Sequence, residues 1–382
     1  MRIAVAIDSF KGSLSSLRAG EAVKEAALSL DPQNEVFVRP VADGGEGTVE
    51  ALSVGMGGTL LSARVTGPLF EPVDASYAIL PDGVTAVIEM AAASGITLIS
   101  KERLNPLFTT TYGVGELIND AIRRGCRRFI VGIGGSATND GGVGMLAALG
   151  YAFLDAEGKP IPFTGGGLSS LASISDANVP SVLRECSFRV ACDVKNPLCG
   201  KDGCSAVYGP QKGATPEMIK VLDASLSHYA ELAKCVSDRA DASFPGVGAA
   251  GGLGFAFHAF LGGTLSSGIG IILEETHLED YVKSADLVVT GEGRLDSQTV
   301  MGKAPVGVAA IAKAHGKPVI AFSGCATRDA DVCNAHGIDA FFPIPQGASS
   351  LEDAMNEENA FFNLKATAKQ ALRLFALSRG LL

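Results

Sequence analysis

Tryptophan is absent from the 382 residues and aromatics amount to only 6%. That leaves the interior to Val, Ile, Leu, Ala and 47 glycines, the stock of closely packed α/β layers. Long basic runs are also missing. With a formal charge of −10, the chain is ill-suited to nucleic acid or anionic membranes, and a small anionic ligand would need a local positive pocket. No stretch of 18 or more apolar residues occurs, so no transmembrane helix is expected. Asp8 and Lys11 follow the opening strand too closely for a secretory leader, and the chain reads as cytoplasmic. Its eight cysteines form no C-x-x-C pair and its five histidines no H-x-x-x-H, which argues against structural zinc. Cys192, Cys199 and Cys204 read as buried thiols. No G-x-x-x-x-G-K-[ST] exists either: at Gly302-Lys303 the first glycine is replaced by Ser297.

What is present is a βαβ grammar at both ends. "RIAVAI" predicts a strand, followed by a helical pattern through residues 15 to 30 with Ala22, Val23, Ala26 and Ala27 on one face. "EVFVRPV" predicts a second strand. Near the C-terminus "DLVVTGEGRLD", "KPVIAFSG" and "AFFPIPQGAS" predict three more, separated by helices. Two and three make the five strands of a flavodoxin-like parallel sheet. We therefore expect an α/β fold with a discontinuous domain, 1–63 plus 279–382, and a second α/β domain, 64–278, inserted into it. In the insert, "TAVIEMA", "RFIVGIG" and "FRVACDV" predict strands. Helices are expected from Gly113 to Arg124, stopped by Gly125, and from Pro216, with Thr215 as N-cap.

In an open parallel sheet, ligands bind beyond the carboxyl ends of the strands. The residues there are Asp8, Ser9 and Lys11, then Asp43, Gly44, Gly45 and Glu46, then Glu292, Arg294, Asp296 and Gln298. Turn chemistry alone supplies Gly, Asp and Ser. Three carboxylate-bearing loops converging with Lys11 and Arg294 match what phosphoryl transfer requires: acids to hold Mg²⁺, cations and amides to neutralise the moving group, and a carboxylate to take the hydroxyl proton. Lys303 opens a helix whose N-terminus favours phosphate.

The insert adds "GIGGSATNDGGVGML", residues 132–146, with six glycines around Ser136, Asn139 and Asp140. A glycine-dense loop between strand and helix suggests a seat for an anion, its identity open. "ACDVKNPL" adds Asp193 and Asn196, with Asp193 either a strand-end turn residue or a catalytic group. A rival reading takes Gly132, Gly134 and Ala137 as G-x-G-x-x-A and Asp155 as the ribose acid of an NAD(P)-dependent oxidoreductase of a small 2-hydroxy acid. Against it, Asp140 would repel a pyrophosphate.

Taken together, "DSFKGS", "PVADGGEGT", "TYGVGELI", "GIGGSATNDGG", "CDVKNPL", "GAAGGLG", "TGEGRLDSQT" and "GKAPVGVA" closely resemble the bacterial glycerate kinase family of the first type, across essentially the whole chain. The resemblance implies an ATP-dependent, Mg²⁺-requiring kinase of D-glycerate making 2-phosphoglycerate, and a flavodoxin-like domain paired with an inserted one. Thr111 and Val114 depart from the family pattern, which often has Ser and Thr there. The resulting expectation is a site in the cleft between domains. Lys11 and Arg294 hold the substrate carboxylate, and Gly134, Gly135 and Ser136 lie near the nucleotide phosphates. Ser9, Asp43 to Glu46, Asn139, Asn196, Glu292, Gln298 and Lys303 contribute to binding. Asp296, Asp140 or Asp193 touches Mg²⁺, and Asp193 takes the proton with Asp8 as second choice. Small-molecule partners and a homodimer complete the reading.

Overall fold

The computed structural model describes residues 1–42 and 47–380. Among these the strands, in chain order, are β1 (Arg2–Ile7), β2 (Glu35–Val38), β3 (Thr59–Thr66), β4 (Pro72–Ile79), β5 (Thr85–Glu89), β6 (Arg128–Gly132), β7 (Ala152–Leu154), β8 (Ser173–Ser175), β9 (Ser187–Ala191), β10 (Thr264–Ser266), β11 (Leu287–Leu295), β12 (Val319–Ala326) and β13 (Ala340–Pro343). The chain divides into two units, one of residues 1–43, 50–57 and 269–382, the other of 44–49 and 58–268.

In the first unit five parallel strands run in the order β13-β12-β11-β1-β2. This is the flavodoxin-like order, with β1 and β11 at the point where the connections change direction. The apolar runs of the sequence become central strands because both faces must be covered. Ile3, Val5, Ile7, Leu287, Val289 and Phe322 pack on one face under Ala19, Ala22, Val23, Ala26 and Ala27 of the helix Ser16–Leu30 and Leu364, Ala368 and Leu372 of the helix Glu357–Ser378. Ser15 caps the former by accepting a hydrogen bond from the Arg18 amide. Small residues let this helix lie close: a Cβ at Gly20 would stand 2.3 Å from Val38 Cγ1. The opposite face carries the helix Ala304–Ala314, which starts with Pro305 in its first turn.

The second unit holds a six-stranded sheet, β10-β9-β6-β5-β4-β3. Strands β10, β9, β6 and β5 are parallel, whereas β3, β4 and β5 form an antiparallel meander. The sequence reading found β5, β6 and β9 but not β3 and β4. Strand β3 is an edge, its Leu60 mostly exposed, so it lacks the buried apolar run that marked the others. It lies across the expected boundary at residue 64 and pairs along its whole length with β4. The helix Tyr112–Arg123 buries Val114, Leu117, Ile118 and Ala121, and Gly125 follows at φ +101. The helix Pro216–Ala233 is capped by Thr215, whose side chain accepts from the Met218 amide. Among the described residues no helix is long and apolar enough to cross a membrane.

Candidate active site

In the first unit the register aligns Ile7 with Gly291 and Glu292 with Ser323. One residue further along β1 stands Asp8, its amide donating to Gly291 O and its Oδ1 accepting from the Ser9 amide at 2.7 Å. Asp8, just past β1, thus forms a row with Glu292 and Ser323, which stand toward the carboxyl ends of the adjacent β11 and β12. Glu292 is buried; its Oε1 accepts from Thr299 Oγ1 at 2.6 Å and its Oε2 lies 3.4 Å from Lys303 Nζ. Burial raises the Glu292 pKa, and Thr299 and Lys303 oppose that rise. Lys303 is the N-cap residue of the helix Ala304–Ala314, so ammonium and helix terminus share one place. Asp296 receives Arg294 Nε at 3.1 Å and the Gln298 amide at 2.9 Å. The structure therefore brings Glu292, Arg294, Asp296, Gln298 and Lys303 together around one strand end. Lys11 is exposed near it, its backbone amide 3.4 Å from where a Cβ on Gly293 would sit. Asp43, Gly44, Gly45 and Glu46 lie outside the described residues.

In the second unit the carboxyl ends of β5, β6 and β9 carry Glu89, the 132–146 loop and Asp193. Glu89 Oε1 accepts from the Val49 amide at 2.8 Å, a contact between residues 40 positions apart that no local pattern announces. Asp193 accepts from the Gly268 amide at 3.0 Å and is exposed, although it follows the apolar run of β9. Asn196 is engaged in shaping its own loop, donating to Asp202 O at 2.8 Å and accepting from Tyr208 OH at 2.7 Å.

The glycine-rich loop differs most from expectation. Asp140 is fully buried and accepts four hydrogen bonds: Thr111 N at 2.9 Å, Thr111 Oγ1 at 2.7 Å and Gly144 N at 3.3 Å on Oδ2, and Gly142 N at 3.2 Å on Oδ1. With its oxygens taken from within the fold, it anchors the loop and is poorly placed to ligate a metal. Burial raises its pKa, against the pull of these donors. Thr111, which keeps a hydroxyl where the sequence departs from the family pattern, also accepts from Met145 N at 2.9 Å. Asn139 is buried too, donating to Ser205 Oγ at 2.9 Å.

Nor do most of the glycines face a ligand. A Cβ on Gly251, at φ +66, would lie 2.1 Å from Thr138 O, and Gly141 N donates to Gly251 O at 2.9 Å. The loop and the 248–254 segment thus meet backbone to backbone, and glycine is the residue that permits it. Only Gly134 and Gly135 of this loop are exposed, with Ser136 8% exposed beside them. Beneath Ser136 is a residue the sequence did not mark, Lys212. It is 1% exposed and donates to Ser136 Oγ at 2.7 Å and to Thr138 O at 2.6 Å. In "GPQKGA" a lysine between Gly209 and Gly213 reads as a solvated turn residue, and no local signal says otherwise.

The dinucleotide reading finds no support in this arrangement. Strand β7, which should lie beside β6, pairs instead with β8 in a separate two-stranded sheet. Asp155 closes a turn there, accepting from the Glu157 and Lys159 amides. Comparison with known proteins decides the family. Residues 3–376 match the model of the glycerate kinase family. The chain belongs to that family. It is 48% identical over 376 residues to the glycerate kinase of Haemophilus influenzae, covering 98% of this chain and 99% of the relative. It is 49% identical over 354 residues to the glycerate 2-kinase of Escherichia coli, covering 93% of each. A crystal structure named for glycerate kinase 2 of Salmonella typhimurium LT2 superposes with a TM-score of 0.92 at 46% identity, covering 100% of this chain and 99% of that one. Within the glycerate kinase family, then, this chain carries acids and cations at the strand ends of one unit and a buried cation under the glycine-rich loop of the other.

Proposed function

We propose that the protein transfers the γ-phosphoryl group of ATP to D-glycerate, giving 2-phosphoglycerate. The observation that carries this reading is likeness over nearly the whole length to glycerate kinases, one of them named a glycerate 2-kinase. The strand-end chemistry of both units supports it. In this proposal Arg294 and Lys11 hold the carboxylate of glycerate, and the exposed Gly134 and Gly135 amides with the Ser136 hydroxyl meet the nucleotide phosphates. Asp193, exposed at the end of β9, accepts the proton of the attacking hydroxyl as the new oxygen–phosphorus bond forms and ADP departs with the electrons of the broken one.

Among the described residues no three His, Cys, Asp or Glu side chains form a ligand group. An Mg²⁺ that arrives on nucleotide phosphates asks the protein for only one or two carboxylates, and Asp193 or Asp296 fits that demand. When bound, the ion neutralises charge on the phosphate oxygens. The substrates are small molecules, so the reading needs neither nucleic acid nor a lipid surface, and it places the protein in the cytoplasm.

Phosphorus NMR of a reaction with MgATP and D-glycerate tests it. Attachment at carbon 2 gives a signal split by one proton, attachment at carbon 3 by two. A product split by two protons, or no product at all, sinks the assignment. Asp193→Asn, with its urea midpoint unchanged, is expected to lose about 10² to 10⁴ in turnover; near-normal turnover would remove Asp193 as the base.

A further inference from the structure

A lysine placed wholly beneath a loop whose outer surface is glycine calls for an explanation. Lys212 ends the short turn Pro210–Lys212, and Gly213, at φ +88, lets the turn approach Leu104 O, where a Cβ would stand 2.3 Å away. Its ammonium reaches 76 residues back to Ser136 and 74 back to Thr138. Both acceptors are neutral. The ionisable groups that act on it are Asp140 of the loop and Cys204 of the helix Cys204–Tyr208; burial pushes the Cys204 thiol up to about 11. Asp140 already accepts four hydrogen bonds, two from Thr111 and two from the loop amides of Gly142 and Gly144. Burial therefore dominates and draws the Lys212 ammonium down from 10.5 to about 8.

The direction of the hydrogen bond matters most. An ammonium only donates, so Lys212 occupies a lone pair of Ser136 Oγ, and the hydroxyl hydrogen must point elsewhere. Ser136 thereby becomes a donor beside the exposed Gly134 and Gly135, with a positive charge behind it. We propose that Lys212 is a positioning residue: it fixes the Ser136 hydroxyl as a donor and lends its charge, from under the loop, to the binding of a nucleotide phosphate. This rests on the reading above that the phosphates, and not the carboxylate of glycerate, meet Gly134 to Ser136.

The test uses the intact enzyme, Lys212→Met, Ser136→Ala and the double variant, from pH 6.5 to 9.5. Steady-state kinetics give kcat and both KM values, and calorimetric titration with MgADP reads binding without turnover. Each single substitution is expected to raise the KM for MgATP and the Kd for MgADP about ten-fold, the weight of one charge-assisted hydrogen bond. The KM for D-glycerate stays within about two-fold, and the double variant is no worse than the weaker single one. Wild-type affinity for MgADP falls as pH rises through about 8, whereas the Lys212→Met profile is flat. Multiplying effects in the double variant, a larger change in the KM for D-glycerate, or superimposable pH profiles overturn the inference. Should Lys212→Met fail to fold, the wild-type and Ser136→Ala profiles decide: a flat wild-type curve overturns it, and a slope that Ser136→Ala removes supports it. A wild-type enzyme that binds no MgADP overturns the functional reading, and this inference with it; normal binding without a Lys212 effect overturns this inference alone.

Discussion

The strand-end cluster of the first unit and the glycine-rich loop of the second use charge in opposite ways. Around β11, Arg294 is 62% exposed and Lys303 half-buried, and their carboxylate partners Asp296 and Glu292 lie just inside. In the loop, the exposed residues are uncharged, while Asp140 and Lys212 are enclosed. Exposed ion pairs add little to stability because water and salt screen them, but they remain able to change partner when an anion arrives. Enclosed groups cannot do so without breaking the fold. The first arrangement suits contact with a substrate, the second suits holding a backbone in one shape.

The comparison is tested most severely by Asp140→Ala. Leaving four donors, two on Thr111 and two loop amides, without their acceptor is expected to destabilise the protein by roughly 4 kcal/mol in urea titration, since each orphaned donor costs about 1 to 3 kcal/mol before relaxation. A loss under about 1 kcal/mol would mean that the loop does not depend on its anchor. Gly251→Ala comes next, at roughly 3 kcal/mol, from a left-handed φ together with the clash against Thr138 O. Gly302→Ala in the first unit, at φ +104 with nothing within 4 Å of its added carbon, is the control and should cost only about 1 kcal/mol. Equal costs at the two positions would erase the distinction between packing glycines and turn glycines.

Lys212 gives an effect that depends on pH. Because its folded-state pKa is depressed from 10.5 to about 8, its contribution to stability is complete above 10.5 and is lost as pH falls through about 8. Relative to Lys212→Met, the wild type should gain up to roughly 3 kcal/mol between those limits. Parallel stability curves at pH 7.5 and pH 10 would show that the ammonium is not buried at its ordinary cost. Smallest of all is Arg294→Gln, expected to lower the stability read by urea titration by no more than about 0.5 kcal/mol. If stability instead fell by several kcal/mol, Arg294 would belong with the structural groups and the contrast between the regions would fail.

Much of the first unit was legible because its determinants are local. Apolar runs such as "RIAVAI" and "DLVVT" need two covered faces, and the five strands so found fall in the flavodoxin-like order. The β3 and β4 hairpin was not legible, since an edge strand with exposed apolar residues carries no clear alternation. Within the candidate site, Glu292, Arg294 and Asp296 announced themselves by coming at the end of an apolar run, although β11 continues through Leu295 and holds the first two, and Lys303 by opening a helix. Lys212 could not, because its burial depends on Ser136 and Thr138 more than 70 residues earlier.

By itself, then, the sequence determined the buried central strands, the capped and amphipathic helices, the residues that follow them and the family likeness, all of which depend on neighbours within a few positions. Tertiary structure alone decided which glycines serve packing and which face outward, that Asp140 anchors a loop, and that a lysine in a turn becomes an enclosed cation. These are questions of what lies across space from a side chain. The cost of burying a charge or an added methyl group is set by atoms that the chain brings there from a distance.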